Sequence, residues 1–224
     1  MSLLKPAFRF NSGRLSLDFA CTVRHRPSKN LELLEEPSDL SRWLLEAKVA
    51  AQLTSVTPAQ LDDAKRLRQA IFENASRISE AKAPDRKSIA VINEFAALPL
   101  AKVQLDFLSR RPIYLADAPI GAGLSAVARD AIDLFTGPQA KLIRACAEPA
   151  CRMLFVDSSP GARRRWCSMT RCAAARRGSL SGPSTVDPDP SSLRKTRKLC
   201  HCSMIHHVGG PRRFSGNDRG LGRL

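Results

Sequence analysis

Four cysteines in the second half of the chain have the residue type and the spacing of a metal site. Cys146 and Cys151 form one C-x4-C pair, and Cys167 and Cys172 form a second pair fifteen residues further on. Two short loops that each supply two thiolates can surround a tetrahedral Zn²⁺, whose Zn–S bonds are about 2.3 Å long. The residues between the pairs are charged and rich in turn formers, which disfavours a helical core with buried cysteines. The spacing predicts one structural zinc ion.

The cysteine usage and the N-terminus favour a metal site over disulfides. The chain has seven cysteines, an odd number, and its first six residues lack the apolar core of a signal peptide. No apolar run reaches the roughly eighteen residues that a membrane-spanning helix needs. We therefore expect a cytoplasmic protein without a membrane segment, in which the thiols stay reduced.

The sequence has no recognisable catalytic pattern. It contains no nucleophile–base pair, no paired carboxylate signature and no histidine-rich zinc motif. A catalytic zinc keeps one coordination position open for water, whereas four thiolates would fill the shell. We therefore expect a protein that is not an enzyme.

Positive charge is concentrated in the part of the chain that holds the cysteines. The net charge is +15, and residues 146–224 contribute +10 of it, from 15 Lys/Arg against 5 Asp/Glu. Such an excess is typical of a nucleic-acid partner, although a solvated basic surface is the alternative. Six arginines are candidate contacts to phosphates: Arg163, Arg164, Arg165, Arg171, Arg176 and Arg177.

The residues around the arginine run suggest how it is arranged. Alternating residues of an extended segment point to opposite sides, so Arg163 and Arg165 should share a face that Arg164 does not. Trp166 could stack on a base, but we expect it to pack over the metal loops instead. The tail contains a second group of residues that could bind a metal, but their spacing matches no common metal site: Cys200, His201, Cys202, His206 and His207.

The first 145 residues predict a mainly helical domain with small β elements. Apolar residues at helical spacing predict one helix capped by Ser38, a second capped by Thr57, and two more around Ile92 and Val127. Residues 15–23 fit either a strand or a helix, and we assign them to a helix. Residues 103–115 alternate in polarity and predict a β-hairpin.

The cysteine region predicts a small zinc module of the treble-clef or ribbon type over residues 146–177. Residues 152–156 should form a strand, and residues 163–167 should return beside it before a short helix. A module with so little core takes most of its folding free energy from the metal. Residues 178–224 contain 18 Gly, Pro and Ser but only nine Leu, Ile, Val or Phe, which predicts a disordered tail.

The stretch CAEPACRMLFVDSSPGARRRWCSMTRC resembles the CGNR zinc finger of bacterial transcriptional regulators. Upstream, FRFNSGRLSLDFACTV and PSDLSRWL resemble its usual partner, the ABATE stress-response domain, so that the resemblance covers roughly residues 8–172. It implies a helical domain that senses a stress or a small-molecule effector, joined to a zinc module that binds DNA or, as the second choice, RNA. It also carries over four zinc ligands: Cys146, Cys151, Cys167 and Cys172.

The chain departs from this resemblance directly after the last cysteine. The family has Gly-Asn-Arg there, whereas Cys172 is followed by three alanines and then Arg176 and Arg177. The abrupt change to low-complexity sequence predicts a frameshift in the gene. If the tail instead belongs to the natural protein, it would weaken nucleic-acid binding. Two alternative functions stay open: a zinc-stabilised protein-interaction module, and a redox switch in which oxidation releases the zinc.

Overall fold

Helices dominate the described part of the chain, which comprises residues 6–26, 28–50, 55–110, 112–114 and 119–174 of a computed structural model. The helices are α1 (Leu15–Ala20), α2 (Pro37–Glu46), α3 (Pro58–Ser79), α4 (Arg86–Ala96) and α5 (Ile120–Thr136). Three antiparallel pairs accompany them: β1 (Val23–Arg24) with β2 (Leu31–Glu32), β3 (Val103–Leu105) with β4 (Pro112–Tyr114), and β5 (Ile143–Ala145) with β6 (Leu154–Val156). The predicted fold class is therefore confirmed, while the predicted disorder of residues 178–224 lies outside the described residues.

The helix starts follow local capping chemistry. The Thr57 hydroxyl accepts a hydrogen bond from the Gln60 N–H, and the Gln60 side chain accepts one from the Thr57 N–H, so α3 begins with the predicted capping box. Helix α2 starts earlier than predicted, because Glu36 and not Ser38 is its N-cap. Pro37 suits the first helical position, and this places the cap one residue before it.

The centre of the helical part is α3, which packs against α1, α4 and α5. Trp43 of α2 is fully buried, and its ring lies 4.7 Å from that of Phe19 and 5.9 Å from that of Phe10. The helix assigned to residues 15–23 is confirmed for residues 15–20, whereas Val23 begins β1. The helices pack around an apolar core that contains Trp43.

The segment before α1 is tied to the core by polar side chains. Gly13 has φ +90°, a backbone conformation that favours glycine. In the turn at Gly13, the neighbouring Ser12 N–H donates to the buried carboxylate of Asp18 at 2.9 Å. The Arg14 guanidinium donates to the carboxylates of Asp130 and Asp133 on α5, at 2.9 Å and 2.7 Å. Asp18 therefore has a structural role, because its carboxylate anchors this turn.

A buried ion pair joins α3 to β2. The Arg68 guanidinium donates to both carboxylate oxygens of Glu32 at 2.6 Å and also to the hydroxyl of Thr22 at 3.1 Å. Burial acts to raise the pKa of Glu32, but the hydrogen bonds and charge of Arg68 outweigh it and hold that pKa below its usual value. The pair therefore favours the ionised carboxylate.

The β5–β6 hairpin corrects one prediction. Strand β6 lies within the predicted strand 152–156, but its partner is residues 143–145 and not the expected return strand at 163–167. Ile143 is fully buried opposite Val156, whereas Arg163 and Arg165 are exposed, so the apolar segment makes the better partner. Ile143, Leu154 and Val156 pack with Leu17 of α1 and Ala75 of α3.

The β3–β4 hairpin, which confirms the predicted one, exposes apolar side chains. Leu105 is 76% exposed, and Phe107 and Leu108 in the following turn are 90% and 88% exposed. Surface leucines scattered singly are normal, but several neighbouring ones form a contact surface.

No helix within the described ranges is long and apolar enough to span a bilayer.

Candidate metal centre and basic surface

Two loops bring the four cysteines together. Cys146 and Cys151 lie in the loop that joins β5 to β6, and Cys167 and Cys172 lie at either end of a short helical turn. The Ser168 side chain accepts a hydrogen bond from the Arg171 N–H at 3.3 Å and so caps this turn (Met169–Ala173). Each pair is therefore held by its own compact backbone structure.

The sulfur positions fit a tetrahedral zinc ion. All four Sγ atoms lie within 4.8 Å of one another, and the Cys151–Cys167 and Cys167–Cys172 Sγ···Sγ distances are both 3.6 Å. A tetrahedron with Zn–S bonds of about 2.3 Å has edges of about 3.8 Å. These separations are far from the roughly 2.05 Å of a disulfide, and all five cysteines within the described ranges are free thiols. The described part of the chain has one zinc site, at this cluster.

The pKa shifts of the clustered thiols favour binding of a cation. Hydrogen bonds from the thiols of Cys151 and Cys167 lower the pKa of Cys146 to about 2. Burial raises the pKa of Cys172 to about 12, and the neighbouring sulfurs raise that of Cys167 still further. Protein alone thus stabilises the Cys146 thiolate and opposes those of Cys167 and Cys172, whereas Zn²⁺ deprotonates coordinating thiols.

Backbone hydrogen bonds link the two cysteine loops. The Cys167 N–H donates to Sγ of Cys146 at 3.5 Å, and the Ala147 N–H donates to the carbonyl of Arg165 at 2.8 Å. The Cys146 N–H donates to the Met153 carbonyl across the hairpin at 2.8 Å. These contacts hold the two loops in an arrangement in which their sulfurs lie close together.

A small apolar core surrounds the sulfurs. Met153 and Phe155 of the hairpin are buried against the cysteines, and Trp166 packs on them half-buried. Trp166 therefore packs over the metal loops, as we expected from the sequence. Cys21 of the helical part joins the same core but lies outside the four-sulfur group, and its thiol donates to the Leu154 carbonyl at 3.6 Å.

The arginines beside the cluster divide into two kinds. Arg163 and Arg165 are exposed, as is Arg171, so all three side chains are accessible to a partner. The Arg164 guanidinium instead donates to the carbonyls of Trp166 and Cys167, and it lies 4.7 Å from the centre of the Phe155 ring. Arg164 thus holds the second cysteine loop against the hairpin. Arg176 and Arg177 lie outside the described residues.

Asp157 organises the loop that carries the arginines. Its buried carboxylate accepts hydrogen bonds from the N–H and hydroxyl of Ser159, at 3.0 Å and 2.6 Å, and from the Arg164 N–H at 2.8 Å. Burial acts to raise the pKa of Asp157, but these hydrogen bonds outweigh it and hold the pKa below its usual value. No motif in the sequence pointed to this residue, because its role depends on the folded loop.

Replacing Asp157 with alanine should destabilise the finger, since it leaves partly buried donors of Ser159 and Arg164 without this acceptor. We expect the free energy of unfolding at neutral pH to fall by about 1–3 kcal/mol. The depressed folded pKa means that this stabilisation is present above the unfolded pKa of about 3.9 and is lost as the pH falls through the folded value. Urea unfolding at pH 7 and pH 3 measures both effects, and an Asp157→Ala variant as stable as the parent at pH 7 would exclude this role.

The helical part contacts the finger at several points that the sequence did not indicate. The Val156 N–H donates to the Ser12 carbonyl at 2.7 Å, and Nδ1 of His25 lies 2.7 Å from the Ala150 carbonyl in the first cysteine loop. Residues so far apart in the chain leave no local signal in the sequence. The described residues of both parts belong to one compact unit.

A partly enclosed cavity of about 270 Å³ lies between α3, α4 and α5. Most of its lining is apolar: Ile78, Pro84, Ile89, Ile92, Ile132 and Phe135. Asn74 also borders it, but both ends of the Asn74 amide are already bonded, to the Ala70 carbonyl and the Asp85 N–H. The size and lining suit a small apolar molecule.

Comparison with known families matches both parts of the chain. The profile of the ABATE family, described as "putative stress-induced transcription regulator", matches residues 13–138. The profile of the CGNR zinc finger matches residues 143–178, and so includes all four cysteines. A comparison with curated proteins gives no match.

Proposed function

We propose that the chain, which belongs to the ABATE family of stress-induced transcription regulators and carries a CGNR zinc finger, binds nucleic acid, DNA rather than RNA, through the surface that the zinc site organises. The observation that carries the proposal is the pair of exposed arginines, Arg163 and Arg165, between the two cysteine loops. DNA is preferred because regulation of transcription acts at DNA. A cytoplasmic location is part of the same proposal.

The charge of the finger supports contact with phosphates. From Ser158 to Ala174 the chain carries four arginines and no carboxylate. Three of these arginines are exposed, and Arg165 lies 5.3 Å from the Trp166 ring, which limits the motion of its guanidinium. Guanidinium groups bind phosphate oxygens through charge-assisted hydrogen bonds. Arg163, Arg165 and Arg171 are therefore the proposed contacts, and Arg164 is reassigned to an internal role.

The proposed ligands of the zinc are Cys146, Cys151, Cys167 and Cys172, and the ion is structural. When bound, it would neutralise part of the thiolate charge and hold both loops together. Four thiolates leave no open coordination position for a substrate, which supports a role other than catalysis. The finger would then act as a scaffold for the basic surface.

The double variant Arg163→Ala/Arg165→Ala should weaken duplex binding most at low salt. Each phosphate contact contributes about 0.9 to the slope of log K against log salt concentration, so the double variant should lose about 1.8 of that slope. Fluorescence anisotropy with a nonspecific duplex, over a salt series and with zinc present, measures it.

Arg86→Ala is the matched control, because Arg86 is an exposed arginine at the start of α4, which packs on α3 and α5. The control should keep the parent salt slope. If the zinc-loaded parent does not bind duplex at low salt, the proposal is wrong.

A protein-interaction module is the second candidate, and the apolar β3–β4 hairpin favours it. Leu105, Phe107 and Leu108 are largely exposed there, away from the arginines in sequence. Under this alternative, Phe107→Ser would abolish binding of the protein partner. The parent protein would not bind duplex. The duplex titration therefore separates the two candidates.

A further inference from the structure

The cavity between α3, α4 and α5 is larger than the gaps that a well-packed core leaves. Protein interiors contain few voids bigger than a water molecule, whereas this partly enclosed cavity measures about 270 Å³. A cavity of about 150 Å³ can hold one benzene molecule. The space is therefore enough for an organic molecule of about two fused rings.

The chemistry of the lining selects an uncharged and mainly apolar molecule. Of the nine described residues that line the cavity, six are apolar and none carries a charge. Asn74, Asn93 and Thr136 are the polar ones. Burying an ionised group without a partner is costly, so this lining disfavours a charged ligand.

Asn74 supplies a buried polar anchor at the cavity. The residue is 1% exposed, its Nδ2 donates to the Ala70 carbonyl at 3.1 Å, and its Oδ1 accepts from the Asp85 N–H at 2.9 Å. An amide nitrogen carries two N–H donors, and only one hydrogen bond leaves Nδ2 toward the described residues. The second N–H of Asn74 is therefore available to a carbonyl or hydroxyl oxygen of a ligand.

Two residues that line the cavity also support the β5–β6 hairpin. Ile78 of α3 and Phe135 of α5 are half-buried, and both pack on an apolar cluster that the helices share with the hairpin. The hairpin residues of that cluster include Ile143, Leu154 and Val156. The first cysteine loop joins the two strands of this hairpin. A molecule in the cavity would thus touch side chains that hold the finger in place.

We propose that this cavity binds a small uncharged organic molecule with one hydrogen-bond acceptor, and that Ile78 and Phe135 couple its binding to the zinc finger. The apolar body of the ligand would fill the space between the three helices, and its acceptor would bond to Asn74. Coupling follows because the ligand and the hairpin contact the same two side chains. The site does not rest on the proposed function, since filling it requires neither duplex nor the exposed arginines of the finger.

The test measures binding of 2-acetylnaphthalene to the zinc-loaded full chain by isothermal titration calorimetry. This probe has two fused rings, no charge and one carbonyl oxygen, and the parent should bind one molecule per chain. The matched probe 2-naphthoate has nearly the same shape but carries a carboxylate. It should bind at least about tenfold more weakly, because the lining offers no partner for the charge.

Asn93→Trp and Thr136→Trp should each weaken binding of 2-acetylnaphthalene about tenfold or more, because an indole ring would occupy part of the cavity. Both residues are exposed, so neither change replaces a core side chain. Lys87→Trp is the matched control, since Lys87 is exposed on α4 and does not line the cavity. It should bind the probe like the parent.

Three results would overturn the site. The first is no binding of 2-acetylnaphthalene by the parent, and the second is parent-like binding by both tryptophan variants at the cavity. The third is weaker probe binding as the protein concentration rises, which would mean that a second copy of the chain covers the cavity. The Arg163→Ala/Arg165→Ala variant should bind the probe like the parent, so failure of this site and failure of the proposed function are distinguishable.

The coupling to the finger is tested by the zinc affinity, measured by competition with a chelator. A ligand that stabilises the wall shared with the hairpin should strengthen zinc binding about fivefold or more when 2-acetylnaphthalene saturates the parent. The zinc affinity of Asn93→Trp should not respond to the same probe concentration. Equal zinc affinity of the parent with and without bound probe would overturn the coupling.

Discussion

Replacement of Cys151 by serine should remove zinc from the protein and unfold the finger. Serine has nearly the size of cysteine, but its hydroxyl does not ionise near neutral pH and does not replace a thiolate ligand. Structural zinc contributes about 10–16 kcal/mol to the folding of zinc-finger peptides, which is as much as the whole stability of a typical domain. We therefore expect zinc content to fall from about one ion per chain to none, as measured by elemental analysis after dialysis.

The chain offers a matched control for this change in its fifth described cysteine. Cys21 is 5% exposed and packs in the same apolar core, yet it is not among the four clustered sulfurs. Cys21→Ser should keep its zinc, and serine can still donate to the Leu154 carbonyl. Stoichiometric zinc in purified Cys151→Ser would contradict the four-thiolate centre.

Replacement of Trp43 by alanine should produce the largest loss of stability in the helical part. Trp43 is fully buried between the rings of Phe10 and Phe19, so truncation removes a large apolar surface and leaves a cavity. Such substitutions cost about 3–5 kcal/mol of unfolding free energy. Urea unfolding, followed by circular dichroism at 222 nm to report helix content, measures the change.

Trp43→Phe is the comparison that isolates packing from hydrogen bonding. Nε1 of Trp43 is buried and has no hydrogen-bond partner within the described ranges, so phenylalanine removes an unsatisfied donor while keeping an aromatic ring. The loss should therefore be clearly smaller than for Trp43→Ala. Equal losses in the two variants would mean that the indole N–H has a partner, and an unchanged midpoint for Trp43→Ala would contradict its place in the core.

The helices could be predicted because their signals are local. Thr57, Pro58 and Gln60 specify the start of α3 within four residues, and the apolar spacing that follows matches one helical face. The start of α2 was misplaced because Ser38 is a good capping residue by type. Pro37 decided the outcome, since a proline fits the first turn and allows Glu36 to cap it.

The clustering of the four cysteines in the finger was predictable, but its strand pairing was not. The C-x4-C spacing is fixed by the sequence, so it does not depend on how the strands pair. The partner of β6 depends on burial against α1 and α3, which places Ile143 and not Arg163 beside it. The internal role of Arg164 was hidden for the same reason, because its acceptors and the Phe155 ring come together only in the folded loop.

The contacts between the helical part and the finger were beyond sequence reasoning. The Val156 N–H donates to the Ser12 carbonyl and His25 lies against the Ala150 carbonyl, and no spacing rule relates residues so far apart in the chain. These contacts accompany the packing of the β5–β6 hairpin on the helices. The same packing suggests that metal binding in the finger and folding of the helical part are coupled.

The zinc dependence of duplex binding tests the central claim most directly. The measurement is a fluorescence anisotropy titration of a nonspecific duplex with zinc-loaded protein and with chelator-stripped protein, over a salt series. The zinc-loaded protein should bind at low salt, its affinity should fall steeply as salt rises, and stripping the zinc should abolish binding. Equal binding by the two forms, or no binding by the zinc-loaded form at the lowest salt, would contradict it.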